Sequence, residues 1–438
     1  MTRQTAVRRL PWPKRWDIAI LCFLAQVIGY CDRVNISVAA PALMRERHWD
    51  TVQMGWVLTA FFIGYTLSMI PIGIYIDRYG PKKVLSIGVG WWSAFTALTP
   101  IPKELFALVL TRCAMGVGES GILPATNAML VRWFPSQEYS RATGLCWSGG
   151  YAGSIIAFPL AAAIGSMWGW PAVFYAFASL AFVLVPLWLI GTTNSPEENR
   201  SLSQEELAYI VQNRPELRHA NLIPGSMLLR APAVWALLVL HFSSNWFIYV
   251  LVSWLPTYLL LARHFSKLEM AIGASLPFGA ALAGTNVFAY LIDRLSSRRD
   301  RTRVQKSFLA IYAIAPLFLL AACLVKRQAA IVLLLSLGAL FVTAATPVYS
   351  SNSLYLAPKR VGTLASLQNS FANCAGILAP VATGYLAKTF GWIAVFVSVA
   401  LVIFIGITVF AMFGTTRPLN PALFHRGCMR HSDVVREK

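Results

Sequence analysis

Residues 30–39 read Tyr30-Cys31-Asp32-Arg33-Val34-Asn35-Ile36-Ser37-Val38-Ala39 and set an acid beside a base inside the apolar run from Ile18 to about Met44. An apolar helix of about 20 residues spans a bilayer. Each ionised side chain at the centre of such a span costs roughly 2.5–3.5 kcal/mol or more. A charge pair at mid-span therefore requires partners from elsewhere in the chain. A second apolar run, roughly 105–131, carries Arg112 and Glu119, seven apart on one helix face. That spacing is two turns, about 10.5 Å.

Twelve such runs are legible, at approximately 16–40, 54–76, 83–99, 104–131, 141–166, 170–190, 233–261, 267–293, 306–325, 329–355, 361–388 and 391–414. Hydrophobic residues make up 57% of the 438, with a mean hydropathy of +0.59, which excludes an ordinary soluble protein. The expected fold is an all-α integral membrane protein of twelve transmembrane helices. Only Asp32, Arg33, Arg112 and Glu119 fall in the interior of the expected spans, two acids and two bases, with every other charge in a loop, a tail or at a span end. Neutral bookkeeping at depth is what two facing helices require.

The net charge of +19 would suggest a nucleic-acid partner in a soluble chain. Here the bases alternate between loops. With both termini on one side, the segments on that side hold 27 Lys and Arg, the opposite loops 8, and the spans two of the 37. The excess places both termini in the cytoplasm and serves topology and anionic-lipid contact, not nucleic acid. Cys22, Cys31, Cys113, Cys146, Cys323 and Cys374 fall in spans and Cys428 in the tail, so they read as small apolar residues, not disulfides or metal ligands. The first apolar run is too long for a signal-peptide core and reads as the first span.

The longest polar stretch, Gly191 to Pro232, divides six spans from six. The organisation expected is an N-terminal half at 1–190, a cytoplasmic linker at 191–232, a C-terminal half at 233–414 and a cytoplasmic tail at 415–438. Within the linker, Ser203-Gln204-Glu205-Glu206 has the capping-box pattern of a short surface helix ending near Pro215. The halves echo each other. Gly73-Ile74-Tyr75-Ile76-Asp77-Arg78-Tyr79-Gly80-Pro81-Lys82-Lys83 follows span two, and Ala289-Tyr290-Leu291-Ile292-Asp293-Arg294 with the basic run to Lys306 follows span eight. Repeated halves with a site at their interface mark a secondary-transporter architecture.

The Gly73–Lys83 segment resembles the signature loop of the major facilitator superfamily. Asp32-Arg33-Val34-Asn35-Ile36-Ser37, and Arg112 with Gly116-Val117-Gly118-Glu119-Ser120-Gly121, resemble the anion:cation symporter family within it. The resemblance implies a proton-coupled symporter that takes up a small organic carboxylate, such as a sugar acid, across a bacterial-type inner membrane. An exchanger or uniporter for a di- or aromatic carboxylate is the alternative. It implies Asp32 and Glu119 as the protonatable pair, Arg33 and Arg112 as counter-charges that attract the carboxylate, and Tyr30 and Tyr65 as substrate contacts. Where some sugar-acid members carry a Gln, this chain reads Ser148-Gly149-Gly150-Tyr151, with Gly150 at the aligned position. The missing polar contact leaves room for a bulkier or less polar acid.

Arginine offers a planar fork that matches a carboxylate bidentately. Adjacent helical residues differ by about 100°, so Asp32 and Arg33 do not serve each other. Arg33 is then the base left for substrate, and Arg112 the one expected to pair with Asp32 or Glu119. The C-terminal half has no charge in its spans, so its contribution must be neutral: Asn369 and Asn373, four apart in span eleven, with Ser350 and Ser353 behind them. Either Asn could instead be a helix–helix hydrogen bond. Tyr65 stands equally for packing or substrate contact. Trp246, Tyr249, Trp254 and Tyr258 are expected to pack or sit at the interface, with one or two lining the cavity. His241 is expected near the membrane surface, with a proton relay as its lesser reading. Gly149, Gly153, Gly376 and Gly384 suit close helix packing. Asp77, Arg78, Asp293 and Arg294 are expected to be gating clamps between helices. The sequon-like Asn35-Ile36-Ser37 lies in a span and cannot be glycosylated. No metal-ligand cluster and no nucleophile–base set appears among the spans, so neither an enzyme nor a cofactor is expected. A flux-free sensor is disfavoured, since the linker and tail are short. The expected partners are the organic anion, H+ and the bilayer, with a monomer as the functional unit.

Overall fold

The computed structural model describes residues 12–214, 228–357 and 361–419, and its described residues contain helices and no strands. In lipid every backbone polar group must be satisfied within its own segment, which long apolar helices achieve. Twelve long helices carry the chain back and forth: α1 (Lys14–Arg47), α2 (Thr51–Tyr79), α3 (Pro81–Leu98), α4 (Leu105–Trp133), α5 (Ser136–Trp168), α6 (Trp170–Gly191), α7 (Pro232–Ala262), α8 (Lys267–Ser296), α9 (Arg301–Leu324), α10 (Gln328–Leu356), α11 (Val361–Thr389) and α12 (Gly391–Phe413). Ten are long and apolar enough to cross a membrane. The other two are α1, which carries the mid-span charges, and α3, which has 18 residues and starts at Pro81-Lys82-Lys83.

Two interruptions matter for the site. The first segment of α4 ends at Glu119, and the helix resumes at Ile122 after Ser120-Gly121. In α10, a 3₁₀ turn at Thr343–Ala345 separates two helical segments. A short helix, Gln204–Asn213, forms in the linker with the Ser203 side chain accepting from the Glu206 amide. It stops at Asn213; Pro215, where the sequence suggests its end, lies outside the described residues. Glu206 accepts from Arg15 Nη1 at 2.9 Å, and Arg15 also donates through Nε to Glu138 at 2.8 Å. The linker helix is thereby tied to the starts of α1 and α5.

Close packing depends on glycine where backbones touch. A Cβ on Gly64 would run into the Cys113 backbone, and one on Gly116 into Phe61 O, so α2 and α4 meet without side chains between them. Gly149 and Gly153 abut the α1 backbone at Phe23 and Val27, while Gly376 and Gly384 abut Phe62 and Thr51 of α2.

Helices from opposite ends of the sequence meet at one end of the bundle. There Asp50 accepts from Lys388 Nζ at 2.8 Å, Thr51 Oγ1 donates to Gly384 O at 2.7 Å, and Thr59 Oγ1 donates to Ile377 O at 2.9 Å. On the opposite flank Ser275 Oγ donates to Ile155 O at 3.2 Å and the Phe158 and Phe278 rings lie 5.5 Å apart. Along α2 the last such contact is Met69, whose sulfur lies 3.6 Å from Asn369 Nδ2. Beyond it, among the described residues, no hydrogen bond or ion pair joins α2 to α11. The bundle is closed at the Asp50–Lys388 end and separates toward the end that carries Lys14.

This geometry differs from the clamps expected of the repeated Asp-Arg pairs. Asp77 and Arg78 are exposed, and Arg78 lies over its neighbour Tyr79 with its Cζ 5.3 Å from the ring centre. Asp293 pairs with Arg301, and Arg294 Nη1 donates to Tyr290 at 3.4 Å. Among the described residues none of the four joins α1–α6 to α7–α12, because they sit at the end where those helices have separated.

The closed end gives a graded expectation. Asp50 caps α2 in a full capping box with Gln53 and also holds Lys388. The Lys388 hydrogen bond first, then the Gln53 amide, holds its carboxyl below the usual aspartate range. Asp50→Ala should cost about 1 kcal/mol through the lost cap. Lys388→Met should cost less than about 1 kcal/mol, since the pair's side chains are 55% and 39% exposed. A carboxyl with a lowered folded pKa stabilises above its unfolded value of about 3.9 and loses that contribution as pH falls through the folded one. Thermal unfolding in detergent should therefore show the Asp50→Ala deficit at neutral pH, shrinking below about pH 4.

Candidate functional site

The four charges read from the sequence do come together, at the meeting of α1, α2, α3 and α4. Arg33 of α1 donates through Nε to Glu119 Oε1 at 2.5 Å. Its guanidinium also lies 4.6 Å from the Tyr65 ring centre, 4.8 Å from Tyr30 and 5.1 Å from Phe61, a three-sided aromatic collar within cation–π range. Arg112 donates through Nη1 to Met115 Sδ at 2.9 Å and lies 5.5 Å from the Phe61 ring centre. Its Nε has no partner, and among the described residues no carboxylate lies within 4 Å of it. Asp32 accepts from Asn35 Nδ2 at 3.5 Å. Its Oδ2, like Trp92 Nε1 and Thr96 Oγ1 of α3, is buried with no hydrogen-bond partner.

The pairing is thus the reverse of the one expected. Arg33, expected to be left for substrate, holds Glu119; Arg112, expected to hold an acid, touches none. The reason lies one turn before Arg33. Gly29 shares its face of α1, and a Cβ there would sit 3.3 Å from Glu119 Oε1 and 2.7 Å from Ile122 Cδ1. Without that side chain α4 approaches α1, and Glu119, at the end of its helical segment, reaches across. A glycine four residues before an in-span arginine was the available signal. Arg33 nevertheless differs from the other three in access: it keeps 8% of its surface, while Asp32 and Glu119 keep none and Arg112 keeps 1%. Of the four charged groups, Arg33 is the most exposed.

Tyr30 explains the aligned glycine of α5. A Cβ on Gly150 would stand 2.8 Å from Tyr30 Cε2, so the aromatic ring occupies the volume that a longer residue would fill.

The second half of the site comes from α7, α10 and α11. Tyr249 donates to Asn373 Oδ1 at 2.6 Å, and Asn373 Nδ2 donates to Asn369 O at 2.8 Å. The Tyr249 ring centre lies 4.5 Å from that of Phe62 on α2. Asn373 is buried with both side-chain groups engaged, whereas Asn369 is half-buried and, among the described residues, its side chain hydrogen-bonds only to Met69 Sδ. Ser350 is exposed, and Ser353 donates to Gln368 Oε1 at 2.8 Å.

His241 is not near the surface. It is the tenth residue of α7, about 13.5 Å along the helix, and it is buried with its ring stacked 4.0 Å from Tyr349. Gln368 Nε2 donates to Tyr349 O at 3.2 Å and so spends its second proton on His241 Nδ1 at 3.0 Å. The ring proton of His241 therefore sits on Nε2. Gln368 and Tyr349 were not singled out from the sequence; adjacency of Gln368 to Asn369 was the only hint.

Two packed sets of helices, a closed end, an open end and a polar centre between them define a multi-pass membrane transporter. Residues 22–350 match the family described as Major Facilitator Superfamily, and the chain belongs to it. It is 35% identical over 419 residues to the chloroplastic ascorbate transporter of Arabidopsis thaliana, covering 92% of this chain and 76% of that one. It is 30% identical over 378 residues to a probable sulfoacetate transporter of Cupriavidus necator, covering 85% and 87%. Its fold matches the inward-facing, unoccupied crystal structure of a bacterial homologue of the human lysosomal transporter Spinster, with a TM-score of 0.78 at 17% identity over 94% of this chain and 100% of that one.

The ion pair predicts a specific non-additivity. Arg33→Met leaves Glu119 buried without its counter-charge and should cost ~3–5 kcal/mol. Arg33→Met/Glu119→Gln should recover a substantial part of that loss. Thermal unfolding of the four proteins in one detergent measures the coupling, and strictly additive losses would mean the 2.5 Å contact carries no energy.

Proposed function

We propose that the chain is a proton-coupled symporter for a small organic carboxylate, working by alternating access between its N-terminal (1–190) and C-terminal (233–414) halves. The observation that carries this reading is the difference in access between Arg33 and its partner: Arg33 keeps 8% of its surface exposed, and Glu119 behind it keeps none. A substrate carboxylate that takes the guanidinium fork competes with Glu119 for the same charge. Glu119, losing its counter-charge in a buried site, is stabilised by taking up a proton. Anion and proton then favour each other's binding, and the coupling is reciprocal. Asp32, beside the uncompensated Arg112, is the second protonatable group. Relatives named for ascorbate and sulfoacetate transport support an anionic substrate.

The far side of the substrate meets neutral groups. Asn369 and the Nε2–H of His241 offer hydrogen bonds, and Tyr30, Tyr65 and Tyr249 offer ring faces. Gly150 under Tyr30 makes the cavity more aromatic than a glutamine would, which favours a compact acid with a flat or apolar body over a fully hydroxylated one. The excess of Lys and Arg at the open end supports a reading in which that end, and both termini, face the cytoplasm, here of a bacterial-type inner membrane. The geometry is then inward-facing. One chain holds the whole site, so a monomer suffices.

Glu119→Gln separates symport from exchange. The glutamine imitates the protonated acid, so this variant should still exchange labelled for unlabelled substrate across liposomes. It should lose accumulation driven by an inward proton gradient, and its binding should depend less on pH. Full gradient-driven accumulation would move the coupling proton to Asp32. Loss of exchange together with accumulation would leave the cluster a structural one. Arg33→Lys, which keeps the charge and loses the fork, should bind substrate poorly while remaining monodisperse.

A further inference from the structure

Away from the central site, α8 and α10 enclose a groove of about 690 Å³ near the closed end. Its walls are Ile272, Gly273, Leu276 and Gly279 on one helix and Val332 and Leu333 on the other. Ile272, Leu276 and Leu333 are each more than half exposed, so the groove opens sideways, on the face a spanning bundle turns to lipid. From Glu269 at its mouth to Ala280 at its floor it follows α8 for eleven residues, about 16.5 Å. That is close to half of a hydrocarbon core of about 30 Å, the depth of a single leaflet.

The mouth is basic. Arg263 donates to the carbonyls of Cys323 (3.4 Å) and Val325, stapling the α7–α8 connection to the α9–α10 connection. The staple brings Lys326 and Arg327 to the rim where Lys267 begins α8. Of the eight Lys and Arg in the loops of the closed end, these four gather here. Lys267, Lys326 and Arg327 are exposed and, among the described residues, pair with no carboxylate. The one acid at the rim, Glu269, is turned back by its capping box, accepting from the Ser266 amide at 2.8 Å. A single-leaflet apolar slot beneath unpaired bases has the chemistry of one ligand class.

We propose that this groove binds an anionic phospholipid, with one acyl chain between α8 and α10 and the phosphate on Lys326, Arg327 and Lys267. The site lies on the C-terminal half alone. A lipid seated there bridges two helices of that half, and it does not depend on which substrate the central cavity takes.

Native mass spectrometry and thermal unfolding of the full chain in dodecyl maltoside doped with phosphatidylglycerol or phosphatidylcholine test this. Phosphatidylglycerol should remain bound and raise the unfolding temperature by several degrees more than phosphatidylcholine. Lys326→Gln/Arg327→Gln alters two exposed side chains, so its lipid-free stability should match wild type while the preference for phosphatidylglycerol disappears. Leu276→Trp, which fills the slot from an exposed position, should reduce retention of both lipids. Equal retention of the two lipids by wild type overturns the proposal. So does an undiminished preference in the double variant, or retention unaffected by Leu276→Trp. An equal shift from glycerol phosphate alone would show a free-anion site and overturn the lipid.

Discussion

An arginine and a glutamate from two different helices touch in the interior of a bundle that must live in a medium with almost no capacity to solvate charge. Neither could be there alone, because an unpaired buried ion costs several kcal/mol. Arg33 and Glu119 therefore hold α1 and α4 in one relative position, and Gly29 lets α4 come close enough to α1 for the contact. The aromatic collar of Tyr30, Phe61 and Tyr65 follows from the same need, since ring faces are the remaining groups that can attract a guanidinium without bringing a charge of their own.

The contacts between the halves are of another kind. Thr51 to Gly384, Thr59 to Ile377 and Ser275 to Ile155 are single hydroxyl–carbonyl hydrogen bonds, each contributing about 0.5–1.5 kcal/mol net. Asp50–Lys388 is a solvent-facing ion pair. A closed end built from weak, separate contacts can open at modest cost, whereas the ion-paired interior of the N-terminal helices would resist. The bifurcated hold of Arg15 on Glu138 and Glu206 likewise attaches the linker helix to the same side as α1 and α5.

Much of the fold was legible before any coordinates. Apolar runs of spanning length give the helices, because a bilayer admits no other backbone solution of this composition. The four buried charges were identifiable from the same fact, since they alone fall in span interiors and not at span ends, and the structure buries those four together. Ser203 and Glu206 marked the linker helix through the local chemistry of a cap. All of these are properties of one segment and its solvent.

What the linear order could not supply was the pairing. Whether Glu119 reaches Arg33 or Arg112 depends on how closely two helices approach, and that was decided by a missing side chain at Gly29. His241 was expected near the membrane surface, yet it lies two and a half turns into α7 and is buried against Tyr349 of α10. Its proton position comes from Gln368, more than a hundred residues away. The repeated Asp-Arg pairs marked the right loops, but whether they clamp depends on which end of the bundle is open. Sequence determined which residues must be buried and where helices begin and cap, because those are one-body energies of a segment in lipid. Tertiary structure decided which buried groups meet, because a contact between helices is set by interaxial distance and rotation, and these come from the packing of all twelve at once.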